Sequence, residues 1–202
     1  MKNLLMEYFE NSSNVVKSVS ENVDVIEKIC DGIFECQKAG GKILIGGNGG
    51  SCSDAQHFAG ELTCTFKDPN RMAISAISLT TNASAITAWA NDFGFDTYFS
   101  RQVEAHGKHG DILFLISTGG GDREKGYSMN LVNAADKALN IGMTLYTILG
   151  KTGGELSKMS HKSITVKSFV TSHIQEAHIT IIHSICEMLD VLTKTKEGKS
   201  DE

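Results

Sequence analysis

Lys42-Ile43-Leu44-Ile45-Gly46-Gly47-Asn48-Gly49-Gly50-Ser51 is the stretch that decides the fold. A short apolar run with no polar alternation reads as a strand buried on both faces. The glycine-rich turn that closes it opens directly into an amphipathic segment at 52–66, so the unit reads as strand, turn, helix. Gly40-Gly41 just before the run ends a preceding helix. Four further apolar runs follow, at Ala73–Leu79, Asp111–Ile116, Met143–Leu149 and Ser163–Val166. Amphipathic segments at 96–108 and 123–140 separate three of them. Alternation of this kind predicts an α/β three-layer sandwich, a five-stranded parallel sheet flanked by helices. Residues 2–39 carry apolar positions at helical spacing and read as two N-terminal helices, with Asn and Ser marking a break near 11–14. A long helix at 171–193 closes the chain, and the polar stretch 196–202 reads as a frayed tail. One proline and the absence of any repeat or low-complexity block predict a single domain over 1–202.

Composition narrows the functions. Nineteen basic against twenty-four acidic residues leave a net charge of −5, which argues against a nucleic-acid binder. No stretch reaches the length of a membrane span and the N-terminus lacks a signal-peptide core, so no membrane association is expected. Five cysteines, odd in number and without a CxxC pair, predict reduced thiols and a cytoplasmic location.

The turn Gly46–Ser51 stands where open parallel sheets bind ligands, with backbone amides and a helix N-terminus facing an anion. It lacks both the GxGxxG spacing of dinucleotide sites and the GK[ST] ending of a phosphate-binding P-loop. A merely tight turn is the alternative; Asn48 and Ser51 favour binding. A second loop, Ser117-Thr118-Gly119-Gly120-Gly121-Asp122, completes a two-sided cradle suited to a phosphate and a polyol. Asp122 within it would repel a phosphate unless a cation such as Arg123 or Lys125 intervened. His57 and Glu61, four apart, project from one helix face and suit either a metal or an acid/base pair. Gln175, Glu176, His178 and His183 form a second polar cluster in an apolar helix, although a lone helical His is more often a surface or core residue. Asn91-Asp92 reads as polyol ligands or as a helix cap.

Taken together, the GGNGGS loop, Gln56–Leu62 (QHFAGEL), Ala90–Gly94 (ANDFG), Gly110-Asp111 leading to Ser117-Thr118, Leu149–Gly154 (LGKTGG) and Ile174–His178 through His183 resemble the sugar isomerase domain family, within it the bacterial phosphoheptose isomerases. The resemblance runs over nearly the whole chain. It implies aldose–ketose isomerisation of sedoheptulose 7-phosphate through an enediolate, in a cytoplasmic homotetramer with active sites at subunit interfaces. It places zinc on His57, Glu61, Gln175 and His183, and proton transfer on Glu61 and His183. Substrate binding falls on Asn48, Gly49, Gly50, Ser51, Glu61, Asn91, Asp92, Ser117, Thr118, Gly119, Asp122 and Gln175. One loop departs: the family usually shows STSGNS where this chain has STGGGD, which removes two hydroxyls and adds a carboxylate. Two rival readings are a non-catalytic branch that binds the replication initiator and a sugar-phosphate sensor. Glu61 and His183, which that branch lacks, favour the enzyme.

Overall fold

A computed structural model of the protein describes residues 1–197, with side chains placed through Lys194. Five parallel strands, β1 (Ile43–Gly47), β2 (Ala76–Ser78), β3 (Ile112–Ser117), β4 (Thr144–Gly150) and β5 (Lys162–Val166), lie in the order β2-β1-β3-β4-β5. Every residue of β1 and β3 is buried, which is why both read as uninterrupted apolar runs. The register sets Ile43 against Ile112 and Gly47 against Ile116, so the two glycine-rich loops leave the sheet side by side.

Alternate side chains feed two cores. Ile43, Ile45, Phe114, Ile116, Ile148 and Ile164 pack under α2 (Val23–Lys38), α3 (Gly50–Thr63) and α8 (Thr171–Glu197). Leu44, Leu113, Leu115, Leu145 and Leu149 pack under α5 (Tyr98–His106), α6 (Met129–Ile141) and α7 (Gly154–Met159), with α4 (Ala83–Phe93) at the edge. In α8, Ile174, Ile181, Ile182, Ile185 and Leu189 are fully buried. Each such burial is worth about 1.5–3 kcal/mol, so the helix is anchored along its length and holds its polar side chains in fixed register. An Ile181→Ala change would remove about 2–5 kcal/mol.

Several boundaries differ from the sequence reading. The expected break near 11–14 is absent: α1 runs unbroken over Lys2–Ser18, and the chain bends instead in a 3-10 turn at Val19–Asn22. Ser12 does not interrupt the helix because its hydroxyl donates outward to Glu176 of α8 at 2.5 Å. The helix expected over 123–140 begins only at Met129, since Gly126 and Ser128 hold left-handed backbone that no helix continues through. The short α7 was not foreseen. Of the polar tail, Lys196 and Glu197 continue α8, and 198–202 lie outside the described residues. All five cysteines are unpaired, and Cys30, Cys36 and Cys186 are buried. No helix among the described residues is long and apolar enough to cross a membrane.

The strand order fixes the site. From β1 the chain crosses outward to β2, and from β3 it crosses the other way to β4, so a crevice opens between the C-terminal ends of β1 and β3. Ligands of open α/β sheets bind at such a reversal.

Candidate active site

The β1 loop builds one wall of that crevice. Gly49 turns the chain with φ +57°, and Gly50 then begins α3. A Cβ on Gly50 would lie 2.2 Å from Nε2 of Gln175, so the absence of a side chain is what lets the Gln175 carboxamide lie against the start of α3. Asn48 is locked by a reciprocal amide pair with the buried Asn130 of α6: its Nδ2 donates at 3.0 Å and its Oδ1 accepts at 2.8 Å. Ser51, nearly buried, sits in the first turn of α3, where backbone amides and the helix dipole favour an anion.

The β3 loop builds the other wall. The Ser117 hydroxyl accepts the backbone amides of Gly120 (3.0 Å) and Gly119 (3.4 Å), so it shapes the loop from within. The loop carbonyls in turn cap α7: Leu156 N–H donates to Gly120 at 2.9 Å and Glu155 N–H to Gly121 at 3.1 Å. This crossing is so close that a Cβ on Gly120 would stand 1.9 Å from the Gly153 carbonyl oxygen. Gly120 therefore has a structural reason: it lets the α7 entry pass over the loop.

Between the walls lies a cavity of about 330 Å³, lined by Asn48, Ser51, Ser117, Thr118, Gly119, Tyr127, Ser128, Lys151 and Gln175. It is a polar crevice of the size that takes a small ligand. A larger groove of about 410 Å³ between α2 and α8 is apolar, with Val23, Ile26 and Met188 in its lining, and lacks convergent donors. The polar crevice is therefore the one we take as the candidate site.

Of the expected substrate contacts, Gly49, Gly50, Glu61, Asn91, Asp92 and Asp122 do not line the cavity. Asp122 faces away, toward a separate depression beside Thr152 and Lys158. Its carboxylate accepts the backbone amides of Glu124 and Lys125, both at 3.0 Å, and pairs with the Lys125 ammonium at 3.4 Å. The Lys125 amide and ammonium, with the Glu124 amide, hold it below the usual carboxylate range. It serves a turn closed by the Asp122–Tyr127 bridge, so the cation it needs is met within its own loop. Asn91 and Asp92 lie exposed in the last turn of α4 and bond to each other at 2.8 Å. They are not a cap either, since the N-cap of α4 is Asn82, which accepts the Ala85 amide.

A second constellation gathers farther along α3. His57 Nε2 lies 2.9 Å from Glu61 Oε1, and the His57 ring meets His183 edge-to-face with centroids 5.2 Å apart. Phe66 stacks on His183 at 5.6 Å and fixes that ring from its other side. Buried Arg71 donates to the carbonyls of Glu61 (2.6 Å) and Leu62 (3.2 Å) and pairs with Asp190 of α8 at 2.8 Å, tying the end of α3 to α8. Glu61 and His183 are thereby held in a common frame. Asp54, one turn before His57, has a buried oxygen without a partner, and burial pushes its carboxyl up to about 6 against the pull of His57. His178 is fully enclosed, and burial pulls it down to about 4 against the pull of the Leu149 backbone.

Gln175 lies against Gly50 and lines the cavity. It stands eight residues before His183, about 12 Å along α8 at 1.5 Å per residue, and belongs to the cradle. Among the described residues no three His, Cys, Asp or Glu side chains are grouped to hold a metal ion. His57 and Glu61 close on each other instead of on a shared point. The donor types, two imidazoles and a carboxylate, suit zinc. Two imidazoles on one tetrahedral ion, with bonds of about 2 Å, have centroids about 5 Å apart, which is the separation of His57 and His183.

Comparison with known proteins fits this arrangement. The sequence model of the SIS domain matches residues 7–150. The chain belongs to the SIS domain family. It is 42% identical over 190 residues, 94% of this chain and 98% of the relative, to phosphoheptose isomerase 1 of Campylobacter jejuni. The solved phosphoheptose isomerase of Neisseria gonorrhoeae superposes with a TM-score of 0.85 at 35% identity, covering 94% of this chain and 98% of that one. The phosphoheptose isomerase of Francisella tularensis superposes with a TM-score of 0.85 at 32% identity, over 93% and 97% of the two chains. The SIS domain match ends at Gly150, before α8, whereas these relatives align over nearly the whole chain and so include the helix that carries Gln175 and His183.

Sequence reading missed Asn130, Tyr127, Ser128 and Lys151. Lys151 alone had a signal, its place directly after a strand in the LGKTGG motif. Ser128 and Lys151 owe their place at the cavity to left-handed backbone, which tertiary packing imposes on residues whose type does not announce it.

Proposed function

We propose that this SIS-domain enzyme is a phosphoheptose isomerase interconverting sedoheptulose 7-phosphate and D-glycero-D-manno-heptose 7-phosphate. The observation that carries the reading is the placing of two chemistries along one helix, α3. Ser51 of the cradle and His57 of the acid/base cluster are six residues apart on α3, about 9 Å along its axis. A seven-carbon chain with bonds of about 1.5 Å extends about 8 Å. A phosphate held in the cradle would leave carbons 1 and 2 near His57, whose Nε2 lies 2.9 Å from Glu61 and whose ring meets His183.

Isomerisation moves a proton from carbon 1 to carbon 2 and a hydroxyl proton from oxygen 1 to oxygen 2, through an enediolate. In this reading the Glu61 carboxylate takes the carbon-bound proton and returns it on the neighbouring carbon. His183 exchanges the oxygen-bound proton, its ring oriented by Phe66 and His57. Asn48 and Gln175 hold sugar hydroxyls, and Ser51 and Thr118 hold the phosphate with the amides of the two loops. Zinc bound by His57, Glu61 and His183, with Gln175 as a more distant donor, would supply Lewis-acid polarisation of the carbonyl.

A homotetramer with interfacial sites belongs to the same proposal. On α1, Leu4, Leu5, Met6 and Phe9 are 59–69% exposed, and Phe93 is 65% exposed on α4. Apolar groups clustered in this way on a surface suit contact with further copies of the chain. Such contact would also carry Asn91 and Asp92 to a neighbour's cradle.

The test is turnover of sedoheptulose 7-phosphate by protein stripped with a chelator and by protein reloaded with zinc, with mass measured by light scattering. Conversion restored by zinc in a tetramer is expected. Binding without conversion under both conditions would leave the sensor reading, and conversion unaffected by stripping would remove zinc from the account.

A further inference from the structure

The crevice contains one wall that the reading above does not use. Ser128 and Lys151 are the only residues other than glycine with positive φ among the described residues, at 52° and 53°, and both line this cavity. Left-handed backbone is unfavourable for a residue with a Cβ and persists where surrounding structure imposes it, most often at functional sites. At Lys151 the imposition is visible: its amide donates to Ser168 at 3.1 Å and the following turn is closed by Gly153 N–H on the Gly150 carbonyl at 2.9 Å. At Ser128 the carbonyl accepts the amides of Leu131 and Val132 and so starts α6. Its hydroxyl makes no capping bond.

The opposite loop has little to offer an anion beyond its amides and Thr118. The Ser117 hydroxyl is already engaged by Gly119 and Gly120, the three glycines have no side chains, and Asp122 is turned away. Lys151 is the single cationic residue in the cavity lining. No carboxylate lines the cavity, and those of the adjoining loops, Asp122 and Glu155, pair with Lys125 and with Lys158 at 2.9 Å.

From this we infer that Lys151, with the Ser128 hydroxyl of the same cavity lining, is the charged anchor for the substrate phosphate and supplies the anion contacts that the STGGGD loop does not. The inference rests on the proposed sugar-phosphate reading and deepens it. Lys151 is a specificity-determining residue here and takes no part in proton transfer.

The experiment compares wild type with Lys151→Met, Lys151→Arg and Lys151→Gly, reading calorimetric binding of inorganic phosphate, and KM and kcat for sedoheptulose 7-phosphate. Loss of one charge-assisted contact is expected to raise KM and the phosphate Kd about tenfold to a hundredfold in Lys151→Met. kcat should stay within about threefold, and Lys151→Arg should recover most of the affinity, since uniform binding is what is lost. Lys151→Gly, which relieves the left-handed strain, should bind as weakly as Lys151→Met while melting no lower than wild type. Unchanged KM and phosphate binding in Lys151→Met would overturn the inference, and so would a loss confined to kcat. If wild type binds phosphate through Lys151 but does not convert sedoheptulose 7-phosphate, the isomerase reading fails and the anchor stands. Conversion at wild-type KM in Lys151→Met leaves the isomerase and removes the anchor.

Discussion

Gly50→Ala separates positioning from stability at the point where the two helices meet. The new methyl would lie 2.2 Å from Gln175 Nε2 and 2.8 Å from its Cδ, against an ordinary contact of about 3.5 Å. The carboxamide must therefore move by more than about 1 Å. The obstacle is the end of a flexible side chain, and Gly50 has no left-handed φ, so the backbone accommodates alanine without strain. Alanine also restricts the unfolded chain, which favours folding by about 0.4–1 kcal/mol. Stability should stay level or rise slightly. Activity should fall, because a displacement of about 1 Å in a positioned group can lower the rate about a hundredfold. Thermal melting and kcat/KM for sedoheptulose 7-phosphate should be measured together on Gly50→Ala, Gln175→Ala and the double variant. Coupling is expected: in the Gln175→Ala background the glycine change should have almost no further effect. Wild-type kcat/KM in Gly50→Ala would refute the reasoning, as would a stability loss large enough to account for the missing activity.

Two other substitutions test other parts of the site. His178→Met should flatten the acid limb of stability: an imidazole held near about 4 when folded and at 6.5 when unfolded binds fewer protons in the native state. Wild type thus loses stability as pH falls from 6.5 toward 4, by about 3 kcal/mol for a shift of this size. Asp54 acts in the opposite sense, since its raised carboxyl adds stability that is lost as pH rises through about 6. The wild-type minus His178→Met difference, by chemical denaturation across that range, isolates the histidine, and parallel curves would contradict the assignment. Asp122→Ala should lower the melting temperature slightly by freeing two turn amides, with KM for sedoheptulose 7-phosphate unchanged. A large rise in KM would return Asp122 to the substrate.

The sheet was legible because β1 and β3 are buried on both faces, leaving unbroken apolar runs, and β4 nearly so, each bounded by glycine-rich turns. Both ligand loops followed from glycines directly after those runs. Strand order was not legible, since apolar runs carry no record of which neighbour they pair with. The break in the N-terminal helices was misplaced because Ser12 bonds to Glu176, a partner 164 residues away that no local window contains. Asp122 showed as a carboxylate in a binding loop, yet its direction depends on the amides of Glu124 and Lys125 and on the Tyr127 bridge. His57 and Glu61 were paired by helical spacing, and His183, joined to them in the sequence only by the family resemblance, meets His57 through the α3–α8 packing.

The central claim is that Glu61 moves the proton in a sugar-phosphate isomerisation. The most direct measurement follows sedoheptulose 7-phosphate by NMR with wild type and Glu61→Gln side by side, after confirming equal melting temperature and oligomeric mass. Wild type should form the heptose aldose, and Glu61→Gln should form it at least about a hundredfold more slowly, the range set by removal of a general base. Conversion by Glu61→Gln at the wild-type rate would contradict the account.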